Sequence, residues 1–176
     1  MTKLVGSLAL AAMAVALTPH LALAKEGEPI EASFTVSFTQ TLNSSNAKYC
    51  GEGAFPYAAT ASGAGYSSLG ALSFELHKTI SAMGIMQGCI TLKSPNGDSL
   101  YANYAGILSP AAGTLTFTGG TGRFHGATGS AKFTGVFVGL YPTLTIFGGG
   151  TIPNLQGTAF YLVEGTVNLK KGKDKD

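Results

Sequence analysis

The chain has 176 residues, 45% of them hydrophobic and only 11% charged, with a formal net charge of +2. That is one domain's worth of material with apolar side chains enough for a real core. Four of the lysines fall in the last seven residues, so the body is close to neutral and has no basic stripe of the kind a phosphate backbone requires; nucleic acid is not an expected partner.

Lys3, the apolar run Leu4–Leu17 and the small-x-small triplet Ala22-Leu23-Ala24 read as a secretion signal over residues 1–24, cleaved after Ala24. An uncleaved anchor fits less well, because Pro19 and His20 interrupt the run before a membrane-spanning length accumulates, and no integral membrane insertion is expected. An outer-membrane barrel is disfavoured by the charged tail and the absence of tryptophan girdles. Residues 25–169 then form a single β domain, residues 170–176 a solvated lysine-rich tail, and the protein is expected to be secreted or periplasmic. In an oxidising compartment Cys50 and Cys89 read most simply as a disulfide, whose loop closure contributes on the order of 3 kcal/mol. The competing reading, a catalytic thiolate, wants a basic neighbour, and only Lys48 lies near Cys50 in sequence.

Strand signals then recur and helix signals do not. Glu31–Thr41 alternates, with Ala32, Phe34, Val36 and Phe38 on one side and Ser33, Thr35, Ser37 and Thr39 on the other. After a loop from Leu42 to Gly53 and an extended Ala54–Tyr66, the chain turns at Ser67–Gly70. The run Ala71–Ile80 places Leu72, Phe74 and Leu76 opposite Ser73, Glu75, His77 and Thr79. Cys89–Ser94 and Ser99–Tyr104 flank Pro95-Asn96-Gly97-Asp98, a hairpin signal because Asn-Gly tolerates positive φ. Further strands are expected at Gly113–Thr118, Ala131–Val138, Thr143–Phe147 and, beyond a Gly148-Gly149-Gly150 hinge, Thr158–Leu169. Eight or nine strands without a helix make an all-β antiparallel sandwich or closed barrel.

Between two of these strands lies Gly119-Gly120-Thr121-Gly122-Arg123-Phe124-His125-Gly126-Ala127-Thr128-Gly129. A nucleotide loop would need a helix directly after its glycines, and a strand follows instead. The segment resembles the glycine-rich motif of allene oxide cyclases and dirigent proteins. With the Asn96–Leu100 hairpin and Tyr104-Ala105-Gly106 it is also similar to secreted bacterial proteins that share the pattern. The resemblance covers roughly residues 60 to 140. It implies an eight-stranded closed antiparallel barrel, plugged by Phe124, whose interior holds an apolar substrate without a cofactor. It also implies homo-oligomers, trimers in the plant families. His125 stands where those families carry arginine or an acid, so no catalytic role is carried over.

Few residues are available for chemistry. Glu75 and His77 share a strand face and could transfer protons as a carboxylate–imidazole pair, against the plainer reading of a solvent face. Glu164 shares a face with Phe160 and Leu162, opposite Tyr161, Val163, Val167 and Leu169, and is either an interior acid or an exposed one. Tyr104, Arg123, Phe124 and His125 are candidate ligand contacts, with Arg123 and His125 at a barrel rim or in a solvated turn. No metal site is expected, since His77 and His125 are far apart and neither cysteine has a second ligand at a recognised spacing. No cofactor and no nucleophilic triad is indicated. Three readings remain: an exported barrel binding a small hydrophobic ligand, a cofactor-free cyclase or isomerase, and a structural or adhesive domain with a filled barrel. Whether the barrel is hollow decides among them.

Overall fold

Period-two alternation gives each strand one dry side, and eight such strands closing on themselves put all the dry sides in one place. A computed structural model of the protein describes residues 27–51, 53–140, 143–145, 151–153 and 155–170. Its strands are β1 (Glu28–Leu42), β2 (Tyr57–Ser67), β3 (Gly70–Ile80), β4 (Ile85–Lys93), β5 (Ser99–Leu108), β6 (Ala111–Gly120), β7 (Thr128–Leu140), β8 (Thr143–Thr145), β9 (Thr151–Pro153) and β10 (Leu155–Asn168). The order β1-β10-β7-β6-β5-β4-β3-β2 closes into an antiparallel barrel, with β8 and β9 pairing as a separate two-stranded sheet. The expected eight-stranded closed barrel is therefore the observed architecture. Closure leaves none of the eight strands with an unpaired edge. The leader read over residues 1–24, the Gly148-Gly149-Gly150 hinge and residues 171–176 of the tail lie outside the described residues. Among the described residues no helix is long and apolar enough to cross a membrane.

The alternation assigns the faces correctly. Phe34, Val36 and Phe38 from β1, Leu72, Phe74 and Leu76 from β3, Leu100, Ala102 and Tyr104 from β5, and Tyr161, Val163 and Val167 from β10 are all buried. Each large apolar side chain taken out of water contributes about 1.5–3 kcal/mol. At mid-height the rings fill the lumen: Tyr104 stacks on Phe133 at 4.5 Å and Phe74 on Tyr161 at 5.8 Å, while Phe133 meets Tyr161 edge-on at 6.0 Å. They leave a void of about 10 Å³, bounded by Phe74, Ile90, Tyr104, Leu115, Phe133 and Tyr161, among others. That is room for about one water molecule.

The barrel has two distinct ends. One carries the β2–β3 and β4–β5 turns and the glycine-rich connection from β6 to β7. The other, the rim, carries the β1–β2 loop and the β3–β4 and β5–β6 turns. From the rim, the β1–β2 loop folds back over the outer wall, where Cys50 and Cys89 form the expected disulfide with a Cα separation of 5.2 Å. Asn43 holds the neck of this loop, its amide donating to the carbonyls of Ala47 and Phe55 at 2.9 Å each and its side-chain oxygen accepting from the Ala47 N–H at 2.8 Å.

Candidate functional site

The glycine-rich segment closes the end opposite the rim. Gly119, Gly122, Gly126 and Gly129 have φ of 141°, 52°, 66° and 124°, values that side chains strongly disfavour. This path makes one 3₁₀ turn, Gly122–Phe124, and drops Phe124 into the core at 0% exposure. The Asn96-Gly97 turn holds it from beside: the Asp98 carboxylate accepts from the Arg123 N–H at 3.3 Å and from the Asn96 amide at 2.8 Å, and a Cβ at Gly122 would collide with it. The Thr121 N–H donates to the Ser99 carbonyl at 2.7 Å, and the Ser99 N–H to the Thr121 hydroxyl at 2.9 Å. Arg123 reaches across to the Leu69 carbonyl at 2.8 Å, with its guanidinium 4.5 Å from the Phe124 ring centre. The hairpin and the glycine segment, separate signals in the sequence, form one latch. Within it Arg123 ties loops together, while His125 is exposed.

The acid–base candidates lie on the outer wall. His77 Nε2 and Glu75 Oε1 are 3.0 Å apart, with side chains 42% and 64% exposed. They sit in an outer groove of about 560 Å³ with the hydroxyls of Ser37, Thr39, Thr60 and Ser62, and the Tyr49 ring lies 5.5 Å from the imidazole. Glu164 is also exposed and is paired in register with Lys132 on one side and Glu31 on the other. None of the three projects into the lumen. Among the ligand-contact candidates only Tyr104 and Phe124 do, at different levels.

The interior holds a different polar group, which the sequence reading passed over. Lys78 is 4% exposed, on the inward parity of β3 that begins Leu72, Phe74, Leu76. Register places Gln40, Ala59, Lys78, Gly88 and Tyr104 side by side across β1 to β5. Gly88 gives the lysine its place, since a Cβ there would stand 2.6 Å from the Lys78 Cα. The ammonium donates to the Met86 sulfur at 3.3 Å and lies 5.5 Å from the Tyr104 ring centre and 5.3 Å from that of Phe137. No ion pair to it occurs among the described residues. Burial lowers its pKa from 10.5 to about 8, because an apolar surround penalises the charged form and two ring faces compensate only in part. The Tyr104 hydroxyl donates to the same sulfur at 3.4 Å. Burial pushes its pKa well up, with the Tyr161 phenol beside it adding to the shift, and burial raises that of Tyr161 to about 12.

Next to Lys78 the rim opens into a cleft of about 390 Å³, lined by Gln40, Tyr57, Ile80, Met83, Ile107 and Leu108, among others. Ile80 is the next inward residue after Lys78 on β3, and Gln40 lies one strand beyond it across the small Ala59. Two residues of the cleft wall are thus near neighbours of Lys78 along and across the strands, while the lysine itself is not among the lining residues. The signal that could have found it is parity: positions 72, 74, 76, 78 and 80 share one face of a strand.

No protein-family model and no curated protein matches the chain. Among solved structures, the pterocarpan synthase dirigent protein GePTS1 is similar at 13% identity and a TM-score of 0.49, over 85% of this chain and 90% of that one. The pterocarpan synthase dirigent protein PsPTS1 is similar at 14% identity and a TM-score of 0.48, over 84% of this chain and 99% of that one.

Proposed function

We propose that the protein is an exported barrel that binds a small hydrophobic molecule at the rim, with Lys78 meeting that molecule's polar atom. The observation that carries this is the buried amine with only a sulfur as its acceptor, one inward position from Ile80 in the cleft wall. An ammonium has three donor positions and thioether sulfur is a weak acceptor, so the site has hydrogen-bonding capacity to offer. An oxygen on a ligand would use it. The mid-barrel rings leave no seat at the centre, so the apolar body of the ligand lies in the cleft against Tyr57, Ile80 and Leu108. The cleft volume falls in the range of about 300–1,000 Å³ usual for small-molecule sites. Export is supported by the signal-like N-terminus and by the disulfide, which persists in oxidising compartments.

The test is displacement of an apolar fluorescent dye by a panel of lipids and terpenoids. The chain has no tryptophan to interfere. Saturable binding at one site, weakened roughly tenfold or more in Lys78→Met for ligands with a terminal oxygen, is the expected result, from the ~1.5–3 kcal/mol of a charge-assisted hydrogen bond. The filled centre favours a second reading, a structural domain whose surface does the work, and absence of any binding across the panel would put that reading first. A cyclase using Glu75 and His77 would have to work in the outer groove rather than the lumen.

A further inference from the structure

A lysine enclosed by rings and a sulfur, with no carboxylate among the described residues to hold its proton, is in the environment where an amine becomes a nucleophile at neutral pH. We propose that Lys78 is a covalent carbonyl-capture site: its Nζ forms an imine with an aldehyde or ketone group on an apolar molecule seated in the rim cleft. This rests on the binding reading above and names the ligand's chemical class. The neutral nitrogen's lone pair attacks the carbonyl carbon, and the C=O π pair moves to oxygen. A proton passes from nitrogen to that oxygen to give a carbinolamine. Loss of water and formation of the C=N bond complete the exchange of amine and carbonyl for imine and water, with no oxidant or reductant.

The surroundings suit each part of this step. With a pKa of about 8, roughly a tenth of Lys78 is neutral at pH 7, against well under a thousandth for a solvated lysine at 10.5. The groups facing it are Gln40 from β1, Met86 from β4, Tyr104 from β5 and Phe137 from β7. The only titratable one of these is the phenol, and it stays protonated because burial raises its pKa. Tyr104 shares the Met86 sulfur with Nζ, so its O–H is placed to hydrogen-bond the carbinolamine oxygen. Ring packing keeps bulk water from the product, which slows hydrolysis of the imine.

The experiment is reductive trapping. Purified protein is incubated at pH 7 with cyanoborohydride and either a medium-chain alkyl aldehyde or glycolaldehyde, and adducts are located by intact mass and peptide mapping. Lys78 should take one equivalent of the alkyl aldehyde, saturably, at least ~30-fold faster than exposed Lys48, Lys93 or Lys132, a conservative fraction of the neutral-amine advantage. The advantage should shrink as pH approaches 10, and Lys78→Met, checked for a cooperative melt, should lose the fast adduct. Labelling of Lys78 no faster than the surface lysines, with dye binding intact, would overturn carbonyl capture and leave the binding reading standing. Equal, unsaturable rates for alkyl aldehyde and glycolaldehyde, with no dye binding, would remove the seat and so overturn both.

Discussion

The two ends of the barrel solve opposite problems. At the latched end several polar groups have near partners: Asp98, Thr121, Ser99 and Arg123 bond backbone atoms around Phe124, and the ring completes the core. At the rim a charged group sits among rings with one weak acceptor. The first arrangement adds stability; the second lowers it, and it is there that we propose a ligand's oxygen is met. Functional groups are often found where local consistency is broken, and here the break is confined to one end.

The largest expected effect comes from removing the latch. Phe124→Ala should cost about 3–5 kcal/mol in urea unfolding, as for other fully buried aromatic residues, while leaving dye binding at the rim unchanged in the folded fraction; a loss of binding at equal folding would break the separation of the ends. Replacing Cys50 and Cys89 by serine should cost about 4 kcal/mol, given the sequence separation of 39 residues. Because that bond pins the loop leading from the rim, dye affinity should fall as well, in contrast to Phe124→Ala.

Lys78→Met should do the reverse and stabilise the protein at pH 7 by about 3 kcal/mol, the equivalent of a pKa lowered from 10.5 to about 8. The folded pKa lies below the unfolded one, so between pH 8 and 10.5 the unfolded chain binds the extra proton and the wild type gains stability as pH rises. Above about pH 10 the raised phenols Tyr104 and Tyr161 oppose this, since the unfolded chain releases their protons first. Urea midpoints at pH 7, 8.5 and 9.5 should therefore climb in the wild type and stay level in Lys78→Met. The smallest effect is on the outer wall, where Glu75→Gln should change stability by no more than about 0.5 kcal/mol, because an exposed pair is well screened. A thermal shift of several degrees would show that the outer groove matters to the fold.

The architecture was legible in the sequence because strand parity is a local signal. Phe34, Leu72 and Tyr161 fall on the inward side by counting in twos, and the glycines of the latch mark themselves by frequency. Lys78 obeys the same count, but lysine is ordinarily exposed, and its burial depends on Gly88, Tyr104 and Phe137 from three other strands. Thr79 misleads in a complementary way: its parity is outward, yet it is buried under the β1–β2 loop, with its hydroxyl donating to the Gly53 carbonyl at 3.4 Å. The fullness of the lumen had no local signal, since it sums side-chain volumes over the whole circumference.

That fullness makes the barrel a cup rather than a tube. Stacked rings at mid-height and Phe124 below them block passage along the axis, so among the described residues the rim is both entrance and exit. On the proposed reading, a molecule bound at the rim would leave by the way it came, its residence time set by the same side chains that admitted it.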